Sequence, residues 1–129
     1  MSGYGQGRHR WLGVSAGLFG LGAVVLGALG SHVVELSDAH ARQLWDTALE
    51  MHLFHAAALL ALTALCFHTS SRQLPLFALL LALGTLLFSG SLYLRAAGWE
   101  FLPGFVAPAG GMLMMASWLG IIVAWAAGR

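Results

Sequence analysis

The sequence predicts an all-α, polytopic membrane protein: four transmembrane helices in an up-down-up-down bundle, with an amphipathic segment between spans one and two. Three observations carry this. Hydrophobic residues make up 59% of the 129 positions and charged residues only 9%, against about 25% charged in a soluble domain. Four apolar stretches without a single charge, residues 11–31, 51–67, 74–94 and 102–127, reach the ~17–25 residues that cross a bilayer as a helix. The links between them are short, and short links make sequential helices antiparallel neighbours. One membrane domain over residues 1–129 is expected, with a polar tail at 1–10.

The first stretch resembles a signal peptide in its basic start and small residues near Gly30. Its apolar run of about 20 residues exceeds the ~7–15 of a signal-peptide core, so it is expected to remain as a span. Between spans one and two, Ala41, Leu44, Trp45, Ala48 and Leu49 recur at helical spacing. Residues 37–50 are therefore read as an amphipathic helix with Ser37 as its N-cap. It either lies in the interface or runs straight into span two. Residues 69–73 form a tight hairpin, and residues 95–101 link spans three and four. Pro108 begins or kinks the membrane part of span four.

Orientation follows the arginines, since the chain has no lysine. Arg8, Arg10, Arg72 and Arg129 share the side of the termini, and Arg42 and Arg95 share the other. Four against two favours cytoplasmic N- and C-termini. All five acids, Glu35, Asp38, Asp46, Glu50 and Glu100, fall on the opposite side. A net charge of +1, with no basic cluster beyond Arg8-His9-Arg10, argues against a nucleic-acid partner. The bilayer itself is the first partner.

Lipid is as apolar as leucine, so helices in a membrane associate by close packing at small residues and through a few polar bonds. Gly13, Gly17, Gly20, Gly27 and Ser31 form such a stripe on span one. An overlapping stripe runs through Ala16, Gly20, Ala23, Gly27 and Gly30. This face suits packing within the bundle or against another subunit.

Histidine is the richest chemical signal. His32 ends span one, His40 follows it, and His52 and His55 begin span two at a spacing of three. Imidazoles bind metal or haem and relay protons. His32 and His55 are candidates for cofactor binding, and His32, His52 and His55 for a metal. The plainer reading is interhelical hydrogen bonding by His32 and His55, with His40 and His52 at the interface. Counting ~1.5 Å per residue, His32, His55, Ser89, Ser91, Tyr93, Arg95 and Pro108 fall near one level, a polar cluster that serves as a site or as a clasp setting helix register. His55 is expected to bond Ser89, Ser91 or the backbone near Pro108. The single cysteine, Cys66, excludes an intrachain disulfide. Met112, Met114 and Met115 read as flexible lipid-facing or packing residues. No phosphate loop, HExxH or CxxC occurs.

Four segments together carry a resemblance: Leu26-Gly27-Ala28-Leu29-Gly30-Ser31-His32, Phe54-His55-Ala56-Ala57-Ala58-Leu59-Leu60-Ala61-Leu62, Phe88-Ser89-Gly90-Ser91-Leu92-Tyr93-Leu94, and Pro108-Ala109-Gly110-Gly111 with Ser117-Trp118-Leu119. In this order, over residues 11–125, the chain resembles the YgdD/YwdK-like family of small bacterial inner-membrane proteins, a family of unknown function with mitochondrial relatives. Ser31 and Val33 stand where the family pattern has Ala and Gly, and Ala109 where it has Ile. The resemblance implies a bacterial inner-membrane location and marks His32, His55, Ser89, Ser91 and Pro108 as characteristic positions. It supplies no activity.

The leading expectation is a non-enzymatic accessory, assembly or structural subunit without a cofactor, acting as a homo-oligomer or within a larger membrane complex. The alternatives are a binder of haem, metal or quinone at the histidine level, and an oligomeric small-solute channel or transporter.

Overall fold

The computed structural model describes residues 9–32 and 34–128, which leaves most of the predicted polar tail, Val33 and Arg129 outside it. Four α-helices make up the described chain: α1 (Arg10–His32), α2 (Ala39–His68), α3 (Leu74–Ala96) and α4 (Val106–Ala126). Each is long and apolar enough to cross a membrane.

The ends of the helices follow local chemistry. α2 is capped by Asp38, whose side chain accepts a hydrogen bond from the Ala41 amide at 2.8 Å. This replaces the expected Ser37 cap: Asp38 is the residue with extended backbone immediately before the helix, where a carboxylate satisfies a free amide. From there α2 runs unbroken for 30 residues. The amphipathic segment is therefore the first part of the same helix as span two. At ~1.5 Å per residue it extends about 45 Å, beyond the ~30 Å hydrocarbon core. α3 begins with Pro75 in its first turn, where the missing amide breaks no helical bond. It ends at Gly98, whose φ of 86° lets the Trp99 amide turn back to the Leu94 carbonyl at 2.9 Å. α4 starts at Val106, four residues later than expected. Leu102 precedes Pro103 and is disfavoured from helical geometry, and Pro108 falls in the first helical turn without requiring a kink.

Each helix packs mainly on its neighbours in sequence, and α1 makes only a light contact with α3. α2 and α3 are thus central, with α1 and α4 on the outside. One apolar core joins Leu12 and Ala16 of α1, Leu59, Leu62 and Cys66 of α2, and Leu74, Ala78 and Leu81 of α3 to Met114 of α4. A second, towards the other membrane face, stacks Trp45 and Ala48 against Tyr93 and Ala96. Lipid-facing positions are as apolar as the core. Leu18, Val24, Leu60, Leu86 and Ile122 are all exposed.

The tightest approach is between α3 and α4. A Cβ placed on Gly84 would come within 2.7 Å of the Gly110 carbonyl oxygen, and one on Gly110 within 2.5 Å of the Phe88 nitrogen. Backbone lies directly on backbone. Along the same seam Ser117 donates to the Phe77 carbonyl at 2.7 Å, and Thr85 meets the Met114 sulfur at 3.5 Å. The Phe77 ring covers Gly120.

α1 packs through Leu12, Ala16, Ala23 and Gly30. Its close-approach glycine is Gly30, where any Cβ would collide with the Trp45 indole. Within this chain the expected line of Gly13, Gly17, Gly20, Gly27 and Ser31 does not make that approach. Among the described residues a Cβ placed on Gly17 or Gly20 would meet nothing within 4 Å, one on Gly13 would stand 3.9 Å from Thr63 and one on Gly27 3.5 Å from Leu49. Ser31 is exposed and bonds its own Gly27 carbonyl. The reason is rotational: α1 turns inward Leu12 and the overlapping stripe, through Ala16, Ala23 and Gly30.

Gly84→Ala and Gly110→Ala should each destabilise the bundle by about 1–3 kcal/mol through overpacking. Gly17→Ala should be neutral, or stabilising by up to ~1 kcal/mol through helix propensity. Equilibrium unfolding in detergent measures all three, and equal effects at Gly17 and Gly84 would contradict the seam.

Candidate functional site

The two histidines of α2 lie one turn apart and serve different helices. His52 is buried and its Nδ1 lies 3.2 Å from the Tyr93 hydroxyl of α3. The Phe19 ring of α1 meets it edge-on at 5.6 Å. Gly22 leaves room for the imidazole, since a Cβ there would stand 3.5 Å from its Cε1.

His55 is 4% exposed and turns the other way. Its Nδ1 is 2.8 Å from the Met51 carbonyl, one turn earlier in α2. The indole N–H of Trp118 in α4 donates to its Nε2 at 3.2 Å. Carbonyls only accept and indoles only donate, so His55 is the neutral tautomer protonated on Nδ1. Phe54 packs beside both rings. The expected interhelical bond of His55 therefore exists, but its partner is Trp118 and not Ser89, Ser91 or the backbone near Pro108. The three-residue spacing points His55 to the α4 side of α2, away from the Ser89 face of α3.

The other candidates do not gather around it. His32 is exposed at the end of α1 and His40 is exposed in the first turn of α2. Ser91 bonds the Phe88 carbonyl of its own helix. Ser89 is 2% exposed and its hydroxyl has no partner among the described residues. It lines a small cavity of about 100 Å³ with His52, Tyr93 and Thr85. Arg95 is half-buried near Gly104, and Pro108 is exposed. The single level expected from the sequence is thus two separate pairs, His52–Tyr93 and His55–Trp118. Among the described residues no three His, Cys, Asp or Glu side chains come together as a metal site.

Two features escaped the sequence reading. Trp118 was legible in principle, because an indole N–H inside a membrane requires an acceptor. Arg42 is the other: its guanidinium donates to the Gly30 carbonyl at 2.9 Å, a cation on the free carbonyls at the end of α1. Its contact with Asp46, 4.0 Å away and exposed, adds little. A lateral groove of about 550 Å³ opens between α2, α3 and α4, with His55 and Trp118 in its wall.

A double-mutant cycle of His55→Ala and Trp118→Phe should return a coupling of about 0.6 kcal/mol, and no more than ~1.7. Nitrogen NMR of labelled protein should show the His55 proton on Nδ1. Zero coupling together with the opposite tautomer would remove the bond.

The comparisons with known proteins agree with this architecture. Residues 26–111 match the family model described as "Protein of unknown function (DUF423)". The chain is 36% identical over 115 residues to "UPF0382 inner membrane protein YgdD" of Escherichia coli (strain K12), covering 88% of each chain. It is 34% identical over 105 residues to "UPF0382 membrane protein YwdK" of Bacillus subtilis (strain 168), covering 79% of this chain and 85% of the relative. A "UPF0382 membrane protein SH2409" of Staphylococcus haemolyticus is 34% identical over 103 residues, covering 78% of this chain and 83% of the relative. No solved structure matches. With two thirds of its length inside the family model and relatives of this similarity, the chain is a small integral membrane protein and belongs to the DUF423 family of unknown function.

Proposed function

We propose that this protein is an accessory, assembly or structural subunit of a bacterial inner membrane, acting by packing α1 against a second copy or a larger membrane complex. The observation that supports this is the open glycine line. Gly17 and Gly20 sit on a helix whose other face already holds α2, and among the described residues nothing outside their own helix stands within 4 Å of where a Cβ on them would lie. A foreign helix can come there to backbone contact, which is the main source of association free energy in lipid.

Oxidative crosslinking in native membranes tests it. With Cys66 replaced by Ala, Gly20→Cys should give covalent dimers or one discrete larger adduct. Ile122→Cys on the lipid face of α4 serves as the control. Crosslinking at Gly20 no greater than at Ile122 would count against the proposal.

A haem, metal or quinone site has less support. Each ring nitrogen of His55 already holds a partner, so ligation there breaks a helix contact. A channel has less again, because the α2–α3 interior is filled by side chains.

We also propose that both termini are cytoplasmic, on the strength of the arginine distribution. A C-terminal fluorescent-protein fusion should then be bright and an alkaline phosphatase fusion inactive. The reverse pair of results would invert the topology.

A further inference from the structure

The groove between α2, α3 and α4 is walled by Met51, Phe54, Phe88, Met115 and Trp118, and Glu50 stands among its lining residues. Its volume of about 550 Å³ is within the ~300–1,000 Å³ usual for small-molecule sites. It has a definite direction in the membrane. Glu50 lies eighteen residues before the end of α2, about 27 Å along the helix at ~1.5 Å per residue, which is close to the full ~30 Å of the hydrocarbon core. The groove therefore starts at one interface and descends towards mid-membrane at the His55–Trp118 pair.

Polarity follows the same direction. In the deep part, the imidazole Nε2 and the indole N–H satisfy each other, so the walls offer no free hydrogen-bonding group to a polar ring. At the rim, Glu50 is exposed, and among the described residues it has no ion-pair partner. No arginine lines the groove, and its one imidazole, His55, is already held by Met51 and Trp118. An occupant must therefore be apolar below and carry a cation at the interface. An anionic head would meet Glu50 without a counter-charge.

We infer that this groove binds an aminophospholipid of the bilayer, with its terminal ammonium on Glu50 and one acyl chain along Phe54, Phe88, Met115 and Trp118. The zwitterionic head places its phosphate towards water and its ammonium on the carboxylate. The site lies on α2–α4, away from Gly17 and Gly20, so it stands or falls separately from the packing of α1.

Native mass spectrometry of the full chain, released from micelles doped with equal amounts of phosphatidylethanolamine and phosphatidylglycerol, tests it. One phosphatidylethanolamine should be retained with a preference of about fivefold, as one interfacial charge pair of ~1 kcal/mol provides. Glu50→Gln should reduce that preference to parity. Gly111→Leu should abolish the retained lipid: a Cβ at Gly111 meets Phe88 at an ordinary 3.7 Å, so the backbone tolerates it while the branched side chain enters the groove. Thermal melting confirms that each variant folds, and Met115→Trp, at an exposed position, replaces Gly111→Leu if that variant does not. Equal retention of the two lipids, a preference that survives Glu50→Gln, or a lipid that survives the filling variant would each overturn the inference. So would a dimer abolished by the filling variant, which would assign the groove to a second copy of the chain.

Discussion

Inside a bilayer a leucine gains nothing by leaving lipid for the side of another helix, so the distance at which two backbones meet carries the weight that burial carries in water. The structure depends on this at the α3–α4 seam. Gly84 and Gly110 let the helices touch main chain to main chain. That proximity brings Ser117 within reach of the Phe77 carbonyl and Thr85 within reach of Met114. None of these contacts is available to helices held apart by even one methyl group. The rest of the bundle is arranged around this pair: α2 packs on α3, and α1 leans on α2.

The histidines complete the assembly in the other available currency, directed polar bonds. One turn of α2 serves three other helices, because the His52 and His55 rings turn to different sides of it. The first meets the Phe19 ring of α1 and hydrogen-bonds Tyr93 of α3; the second turns its proton onto its own helix and accepts from α4. Each imidazole is amphoteric in its neutral form, so one residue type supplies both arrangements. A leucine at either place would fill the volume and lose the orientation.

Much of the fold was legible because span length and charge depletion are summed properties that single contacts do not alter. The four helices and their order follow from them. What was not legible depended on rotation about helix axes. Counting residues placed His55, Ser89 and Tyr93 at one depth, but depth does not say which way a side chain turns, and Tyr93 met His52 while His55 met Trp118. Glycine lines misled for the same reason. Gly13, Gly17 and Gly20 belong to the first stripe, whereas the tight contacts fall to Gly84 and Gly110 and, on α1, to Gly30 of the overlapping stripe. Close approach is a property of two facing helices, and one helix's sequence shows only half of it.

The separation of the clasp partners along the chain has a consequence for biogenesis. Tyr93 lies 41 residues after His52, and Trp118 lies 63 after His55. At ~5–20 residues per second of synthesis, the second interval lasts about 3–13 seconds. During that time α2 has been made and its partner in α4 has not. The His55 ring can hold the Met51 carbonyl from the start, because that bond lies within one helical turn, but its second nitrogen must wait. The nascent protein therefore passes through a stage in which a half-paired imidazole faces the insertion machinery or lipid, and the last helix to emerge is the one that relieves it.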